Sequence, residues 1–525
     1  MKAGVTKPAA PAPPALSIGL RRFLYGTAAT TGAAILVVEI LGAKMLSPYV
    51  GTSHFVWTAQ IAVTLLSLAA GYWFGGWLVD RSQNLSRLYT CILLAGVYLA
   101  GTVPFTAKVA FACLQFPLAV GSLLASLFLF FVPLTLLATV GPFVVRVLTS
   151  AVAGVGGTVG RLSAVSTLGS VLGTVLIGYV LVPFLPNSVT MFITAGLLMV
   201  LAVVYFLVWR TAGESLNAPV VLSALGFFLG WAGVRVDARP PTSDMAEVLR
   251  SNSDFGMLQV FESFGGARRY YLNDYLTQNT YDPRAKQSVS LFTYGLHGFA
   301  RVYTREIKDV LCIGMGVGIV PMQFAREGTK VDVVEINGAI VDVARQHFDL
   351  EPEKLNLTIA DGRQFVNAAT KQYDAVILDA FLGDSSPSHL MTREAFTAMR
   401  KVLQPEGVLV INSFGDFEPG ADYFTASLDK TLKSVFGTVL IHASGNGNVF
   451  FVATPAKELK QHRTLDYEAM HATVQQQARD AYAGVRKANP ASGVILTDDF
   501  NPVEFHDAKN REQFRRQLAF SMRPR

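Results

Sequence analysis

Three acids and one glycine-rich turn hold most of the chemical potential of this sequence. The apolar run DVLCIG leads into Gly314-Met315-Gly316-Val317-Gly318, and Glu335 closes the next apolar run, 21 residues beyond Gly314. Glycines there let the backbone come close to a ligand, and an acid at that spacing can accept from a ribose diol. Asp361-Gly362 follows a third such run, where a carboxylate can face an adenine amino group. Asp379 ends a fourth, YDAVILD. NAD is one candidate ligand for such a turn. The missing later glycine of the dinucleotide fingerprint favours an adenosyl-methionine-type ligand instead. The rival explanation is that the acids cap helices or solvate strand ends. The three acids taken together with the glycine turn weigh against it.

The elements that must position these residues are legible around them. DVLCIG, KVDVVEI, YDAVILDA and GVLVINSF are predicted strands, and the segments from Val320, Gly338 and Thr392 are predicted helices. Alternation of this kind implies a mostly parallel sheet covered by helices, with ligands at the carboxyl ends of the strands. Glu335, Asp361 and Asp379 then share one crevice. Upstream, MLQVFES and ARRYYLND flank Phe264-Gly265-Gly266, which predicts a β-hairpin.

The rest of the 525 residues differs in kind. Hydrophobic residues make up 51% of the chain and charged residues 16%, against about 25% in soluble proteins. Only ten charged residues fall between Phe23 and Val234, whereas from Arg235 the charged fraction returns to about 23%, close to the soluble average. Apolar stretches at 23–47, 55–79, 88–107, 118–147, 160–184, 188–209 and 218–234 are mostly near the ~20 residues that cross a bilayer. Gly71/Gly75 and Gly169/Gly173 have the spacing that lets helices approach. The predicted organisation is a disordered tail (1–22), a membrane domain of about seven helices (23–234), a linker with Pro240 and Pro241 (235–245), a β-hairpin region (246–308) and a nucleotide-binding domain (309–525).

The net charge is +6, but much of the excess flanks apolar segments, as Lys2, Lys7, Arg21 and Arg22 do, so it reads as membrane topology and not nucleic-acid binding. Cys91, Cys113 and Cys312 are far apart and form neither a disulfide framework nor a zinc spacing.

On the segments SDFGMLQV, LNDYLTQ, IGMGVG, VDVVEIN, IADGRQFV, LDAFLGDSSPSHLMTREAF and LTDDFNPVE, the C-terminal half resembles spermidine synthase. With VVEILGAKMLSPYVGTSHFVWT, GYWFGGWLVDR and STLGSVLGT, the chain from about Gly32 is similar to the bacterial membrane-fused spermidine synthase-like (polyamine aminopropyltransferase) proteins. The resemblance implies a class I methyltransferase-like, Rossmann-like α/β domain behind the membrane helices. It implies decarboxylated S-adenosylmethionine as aminopropyl donor, a polyamine such as putrescine as acceptor, no metal, and a homodimer. Glu335 would then bind the ribose and Asp361, beside Gly362, the adenine. Gln259 and Gln278 would lie near the nucleotide, and Tyr294 would line the amine pocket. Asp379 would be the catalytic base that takes the amine's proton.

Departures from the family bear on the substrate. Val317 stands where the family's glycine motif has an aspartate that holds the donor's free amine. The family's Asp-Ser-Ser-Asp run is replaced by Asp379-Ala380-Phe381-Leu382, leaving Asp384 to supply a second carboxylate. A methyltransferase using ordinary S-adenosylmethionine, and a transporter or sensor with a binding domain that does not turn over, are the two competing classes.

Several further residues have bland explanations that are preferred here. Thr497-Asp498-Asp499-Phe500-Asn501-Pro502 reads as a capped turn, with an acid-bearing lid as the alternative. His389 reads as a solvated loop histidine and Cys312 as core. Glu39, inside the first apolar stretch, reads as one half of an ion pair with Lys44 or Arg146. Asp80-Arg81 resembles a loop signature of transporter families. Arg21, Arg22, Arg81, Arg87, Arg146, Arg161 and Arg210 fall on the cytoplasmic side if seven helices cross a bacterial inner membrane with the N-terminus inside. An odd count then places the soluble domain outside. Adenosyl donors are made in the cytoplasm, so the expected location of that domain is cytoplasmic, with six or eight spans.

Overall fold

The computed structural model describes residues 16–51, 54–149, 155–211, 214–237, 244–263, 265–274, 276–381, 387–444, 447–503 and 505–506. The chain divides into two compact units, one of residues 1–46 and 55–239 and the other of 47–54 and 240–525.

Among the described residues, seven helices are long and apolar enough to cross a membrane: Ile18–Val50, His54–Arg81, Leu85–Cys113, Leu118–Leu148, Val155–Phe184, Asn187–Val208 and Asn217–Val236. Their glycines serve packing, as their spacing predicts. A Cβ on Gly71 would stand 2.4 Å from the Thr135 carbonyl, and one on Gly169 2.1 Å from the Ala29 carbonyl. Two π-helical turns, Leu127–Phe131 and Ile177–Leu181, come just before Pro133 and Pro183. Proline lacks an N–H and crowds the preceding turn, so the ladder widens there.

The second unit begins with strands β1 (Met245–Ser253), β2 (Gly256–Ser263), β3 (Arg269–Asn273), β4 (Leu276–Asp282) and β5 (Gln287–Ser288). The expected hairpin exists as β2 and β3, paired antiparallel. It is not a small separate hairpin. It forms the middle of a five-stranded antiparallel sheet in the order β1-β2-β3-β4-β5. A helix, Leu291–Tyr303, leads from it into the main sheet.

That sheet is built from β6 (Asp309–Ile313), β7 (Lys330–Glu335), β8 (Asn356–Ile359), β9 (Tyr373–Leu378), β10 (Leu403–Phe414), β11 (Thr438–Ala443), β12 (Asn448–Thr454) and β13 (Val485–Arg486). Its order is β13-β11-β12-β10-β9-β6-β7-β8. β8 to β10 run parallel, while β12 is antiparallel to both β10 and β11. This is the Rossmann-like, methyltransferase-type sheet. The apolar runs are buried on both faces, with Val310, Cys312, Val333, Ile377 and Val410 on one side and Leu311, Ile313, Val334, Leu378 and Ile411 on the other. Alternation in a doubly covered sheet requires this. The chain leaves β6 toward β7 and β8, then returns to β9 on the opposite side of β6. That reversal opens a crevice at the carboxyl ends of β6 and β9.

Candidate active site

The crevice is formed where the sequence reading expects it. Gly314 follows β6 with φ +89°, and a Cβ there would meet the Asp379 carbonyl at 2.4 Å. Only glycine satisfies both the left-handed backbone and the close approach. Gly316, at φ +52°, has nothing within 4 Å of where a Cβ would stand, which leaves its backbone bare. Gly318 has a different task. It starts the helix Ile319–Arg326 in the left-handed region, beside the Leu350 side chain, and does not line the cavity.

Glu335, at the end of β7, is buried. It accepts from the Met315 N–H (2.8 Å) through Oε2 and from the Asn337 N–H (2.8 Å) through Oε1. Burial pushes its carboxyl up, and the N–H groups of Asn337, Met315, Gly316 and Ile336 resist the push. The carboxylate therefore ties the glycine turn to its own strand end. Its remaining lone pairs are available to a ligand diol.

Asp379, at the end of β9, is half-buried beside the cavity and accepts from Asn412 Nδ2 at 3.0 Å. Burial pushes its carboxyl up to about 6. The Asn412 amide opposes that shift and the Glu335 charge adds to it. A carboxylate of this kind can take a proton near neutral pH.

Asp361 combines both explanations weighed for it. Its Oδ1 caps the helix Gly362–Ala368 by accepting from the Gln364 N–H, while Oδ2 meets His389 Nε2 at 3.1 Å. Burial disfavours its charge, but the Gln364 N–H and His389 outweigh burial and hold the carboxyl below its usual range. His389 is thus not merely solvated: it lines the cavity and pairs with Asp361. Gln278 and Gly362 also line the cavity.

Two further expectations need correction. Gln259 is fully buried and outside the cavity wall, because its strand turns it toward Glu247, to whose Oε1 its Nε2 donates at 3.1 Å. Tyr294 also lies away from this cavity. Its hydroxyl donates to the Ser288 carbonyl (2.9 Å) and accepts from the His471 N–H (3.3 Å), and its ring faces a second cavity rimmed by Lys286, Arg301, Arg326 and Arg463. The acidic segment at Thr497 is a capped turn, as expected: the Thr497 hydroxyl accepts from the Phe500 N–H (3.0 Å) and the Phe500 carbonyl from the Thr497 N–H (3.0 Å). Asp498 receives Arg363 through both nitrogens (3.2 and 2.8 Å) and the Thr392 hydroxyl (2.6 Å), strapping the chain to the helix that Asp361 caps. Asp384 lies outside the described residues. Cys312 is core, as expected.

Residues 292–444 match the family model described as the spermine/spermidine synthase domain. The second unit carries a spermidine synthase-like domain over those residues. The chain is 28% identical over 245 residues to a probable polyamine aminopropyl transferase of Bifidobacterium longum, covering 42% of this chain and 54% of that one. It is 34% identical over 142 residues to a polyamine aminopropyltransferase of Vibrio vulnificus, covering 26% and 46%. It is also 35% identical over 147 residues to an N-terminal histidine N-methyltransferase of Emericella nidulans, covering 27% and 25%. The chain thus spans about half the length, or less, of these relatives.

Sequence reasoning missed Asn412, which orients Asp379 in the spermidine synthase-like domain. A polar residue closing the apolar run GVLVINSF, on a strand parallel to YDAVILDA, was the available signal. It also missed Tyr271 and Asn273, which reach the cavity from the antiparallel sheet. No local signal marks them, since only the packing of that sheet brings them in. Val317 is buried, and it lines the cavity at the position where the resemblance implies an aspartate.

Proposed function

We propose that this chain is a membrane-bound aminopropyltransferase, moving an aminopropyl group from decarboxylated S-adenosylmethionine to a polyamine such as putrescine. The observation that carries the reading is Asp379: a carboxyl raised to about 6, held by Asn412, beside a glycine turn tied down by Glu335. The relatives named for aminopropyl transfer support it. Glu335 would hold the ribose, Asp361 with His389 would face the adenine, and the bare Gly316 backbone would let the donor settle close.

Asp379 would accept the proton that the amine gives up as its lone pair forms the new C–N bond. The C–S electron pair returns to sulfur, cancelling the sulfonium charge, so methylthioadenosine leaves neutral. Positioning supplies most of the remaining acceleration. Val317 favours a second reading, methyl transfer from ordinary S-adenosylmethionine, because an apolar residue there does not repel the carboxylate that only that donor carries. Detergent-purified protein given putrescine and decarboxylated S-adenosylmethionine should release methylthioadenosine, seen by mass spectrometry. S-adenosylhomocysteine, formed from S-adenosylmethionine and a cell extract, would overturn aminopropyl transfer in favour of methylation.

The seven apolar helices would anchor the enzyme in a bacterial inner membrane. Donor supply argues for a cytoplasmic catalytic domain. Seven crossings with the arginines inside argue for the other face. A reporter fused after Arg525 that works only outside the cytoplasm would overturn the cytoplasmic assignment.

A further inference from the structure

Asn412, the amide that meets Asp379, is itself held from behind. It follows Val408, Leu409, Val410 and Ile411 on β10, all fully buried, and is itself only 3% exposed. Its Nδ2 donates to Asp379 Oδ1 at 3.0 Å, and its Oδ1 accepts from Asn448 Nδ2 at 3.1 Å. Asn448 opens β12, the antiparallel neighbour of β10. It stands two residues from Phe450, the cross-strand partner of Asn412, so both amides lie on one face of the sheet. A chain of two amides therefore ends on the carboxylate, and its far member, Asn448, does not line the cavity.

The chain has a direction. An amide has a donor end and an acceptor end, whereas a carboxylate only accepts. With its N–H toward Asp379, Asn412 favours the charged carboxylate. Its buried Oδ1 then needs a donor, and Asn448 supplies it. Turned over, Asn412 would set its carbonyl against Asp379, which only a protonated carboxyl can meet by donating. Asn412 cannot turn over without bringing its Nδ2 against the Asn448 Nδ2, so Asn448 must turn with it. We propose that Asn448 is a positioning residue for the transfer reaction: by donating to Asn412 Oδ1, it keeps the Asn412 N–H aimed at the Asp379 carboxylate. The role of Asp379 as the base rests on the aminopropyltransferase reading, and the direction of the chain does not. The competing explanation is a polar pair that only fastens β12 to β10.

The test reads the pH dependence of methylthioadenosine release by the full-length protein. Asn448→Leu removes the donor at similar size. It should raise the pH at half-maximal rate by about one unit, the scale of one charge-assisted hydrogen bond, with little change in the KM for the donor. Asn448→Asp should raise it further, because an acceptor there draws the Asn412 N–H away from Asp379. In protein already carrying Asn412→Leu, Asn448→Leu should move the midpoint no further. Glu335, Asp361, His389 and Cys312 are the other titratable groups around Asp379 among the described residues, and none of them is hydrogen-bonded to Asn448. An unmoved midpoint in both Asn448 variants, or an equal shift with Asn412 already replaced, would overturn the inference. If the unsubstituted protein releases no methylthioadenosine, the aminopropyltransferase reading falls and the chain is read from stability instead. The gain from Asp379→Asn, followed by denaturant titration, should then keep growing to about one pH unit higher in the Asn448→Leu protein than in the unsubstituted one. The same window in both would overturn the inference.

Discussion

The two walls of the crevice treat their carboxylates differently. At the end of β7, Glu335 is met by backbone N–H groups from both the glycine turn and its own strand end. At the end of β9, Asp379 has one side-chain amide among the described residues, Asn412, and burial carries its carboxyl up to about 6. Each acid ends a neighbouring strand of β6; Glu335 is buried and Asp379 half-buried. The number of donors separates them. Many fixed N–H groups favour an anion that stays an anion and holds a ligand. One donor in a buried place favours a group that exchanges a proton. On the proposed function, the wall at β7 would bind and the wall at β9 would react.

The largest expected effect tests that division directly. Asp379→Asn should lower the transfer rate by about 10³-fold with little change in donor affinity, measured as methylthioadenosine release against donor concentration. A loss confined to affinity would break the contrast. Glu335→Gln should do the reverse, weakening donor binding by roughly 10–100-fold in calorimetry, since it removes charge-assisted hydrogen bonds to the diol and loosens the turn.

Val317→Asp sharpens the donor assignment on the β7 side. It should improve binding of decarboxylated S-adenosylmethionine relative to S-adenosylmethionine by roughly tenfold, the scale of one charge-assisted contact. A shift toward S-adenosylmethionine would favour methyl transfer.

The pH dependence follows from Asp379. The base works unprotonated, so the rate should be low below pH 6 and rise as pH passes through about 6. Stability moves the opposite way. A carboxyl raised from 3.8 to about 6 in the fold costs nothing when protonated and costs most when charged. Its contribution is therefore lost as pH rises from about 4 to 6. Asp379→Asn should gain stability over the unsubstituted protein across that window, levelling at about 2–3 kcal/mol above it. A constant difference, measured by denaturant titration at several pH values, would contradict the assignment. The smallest effect is expected at the strap. Arg363→Ala releases Asp498 and Thr392, and should cost about 1 kcal/mol with a modest loss of donor affinity as the Asp361 helix loosens.

Much of the fold was legible from local pattern. Apolar runs of strand length with a glycine turn between them, and helical stretches nearly devoid of charge, report burial and solvent directly. The same holds for the three strand-end acids, because topology sends all carboxyl ends of a parallel sheet to one edge. The misses have a different origin. Gln259 and Tyr294 fit their motifs, yet strand direction turned one toward Glu247 and helix packing turned the other toward Ser288 and His471. His389 looked like a loop residue until the strap from Asp498 to Arg363 placed its segment beside Asp361. Glu39 looked pairable with Lys44 by proximity in sequence, but its side chain faces Thr64 on the next helix.

By itself, then, the sequence determined which segments avoid water, the period on which each does so, and which acids end strands. These are properties of residue type and spacing along the chain. Tertiary structure alone decided how many donors each acid receives, and so which carboxylate is fixed as an anchor and which is poised to take a proton. Those donors arrive from segments distant in sequence, as Asn412 arrives at Asp379, and no local pattern records their approach.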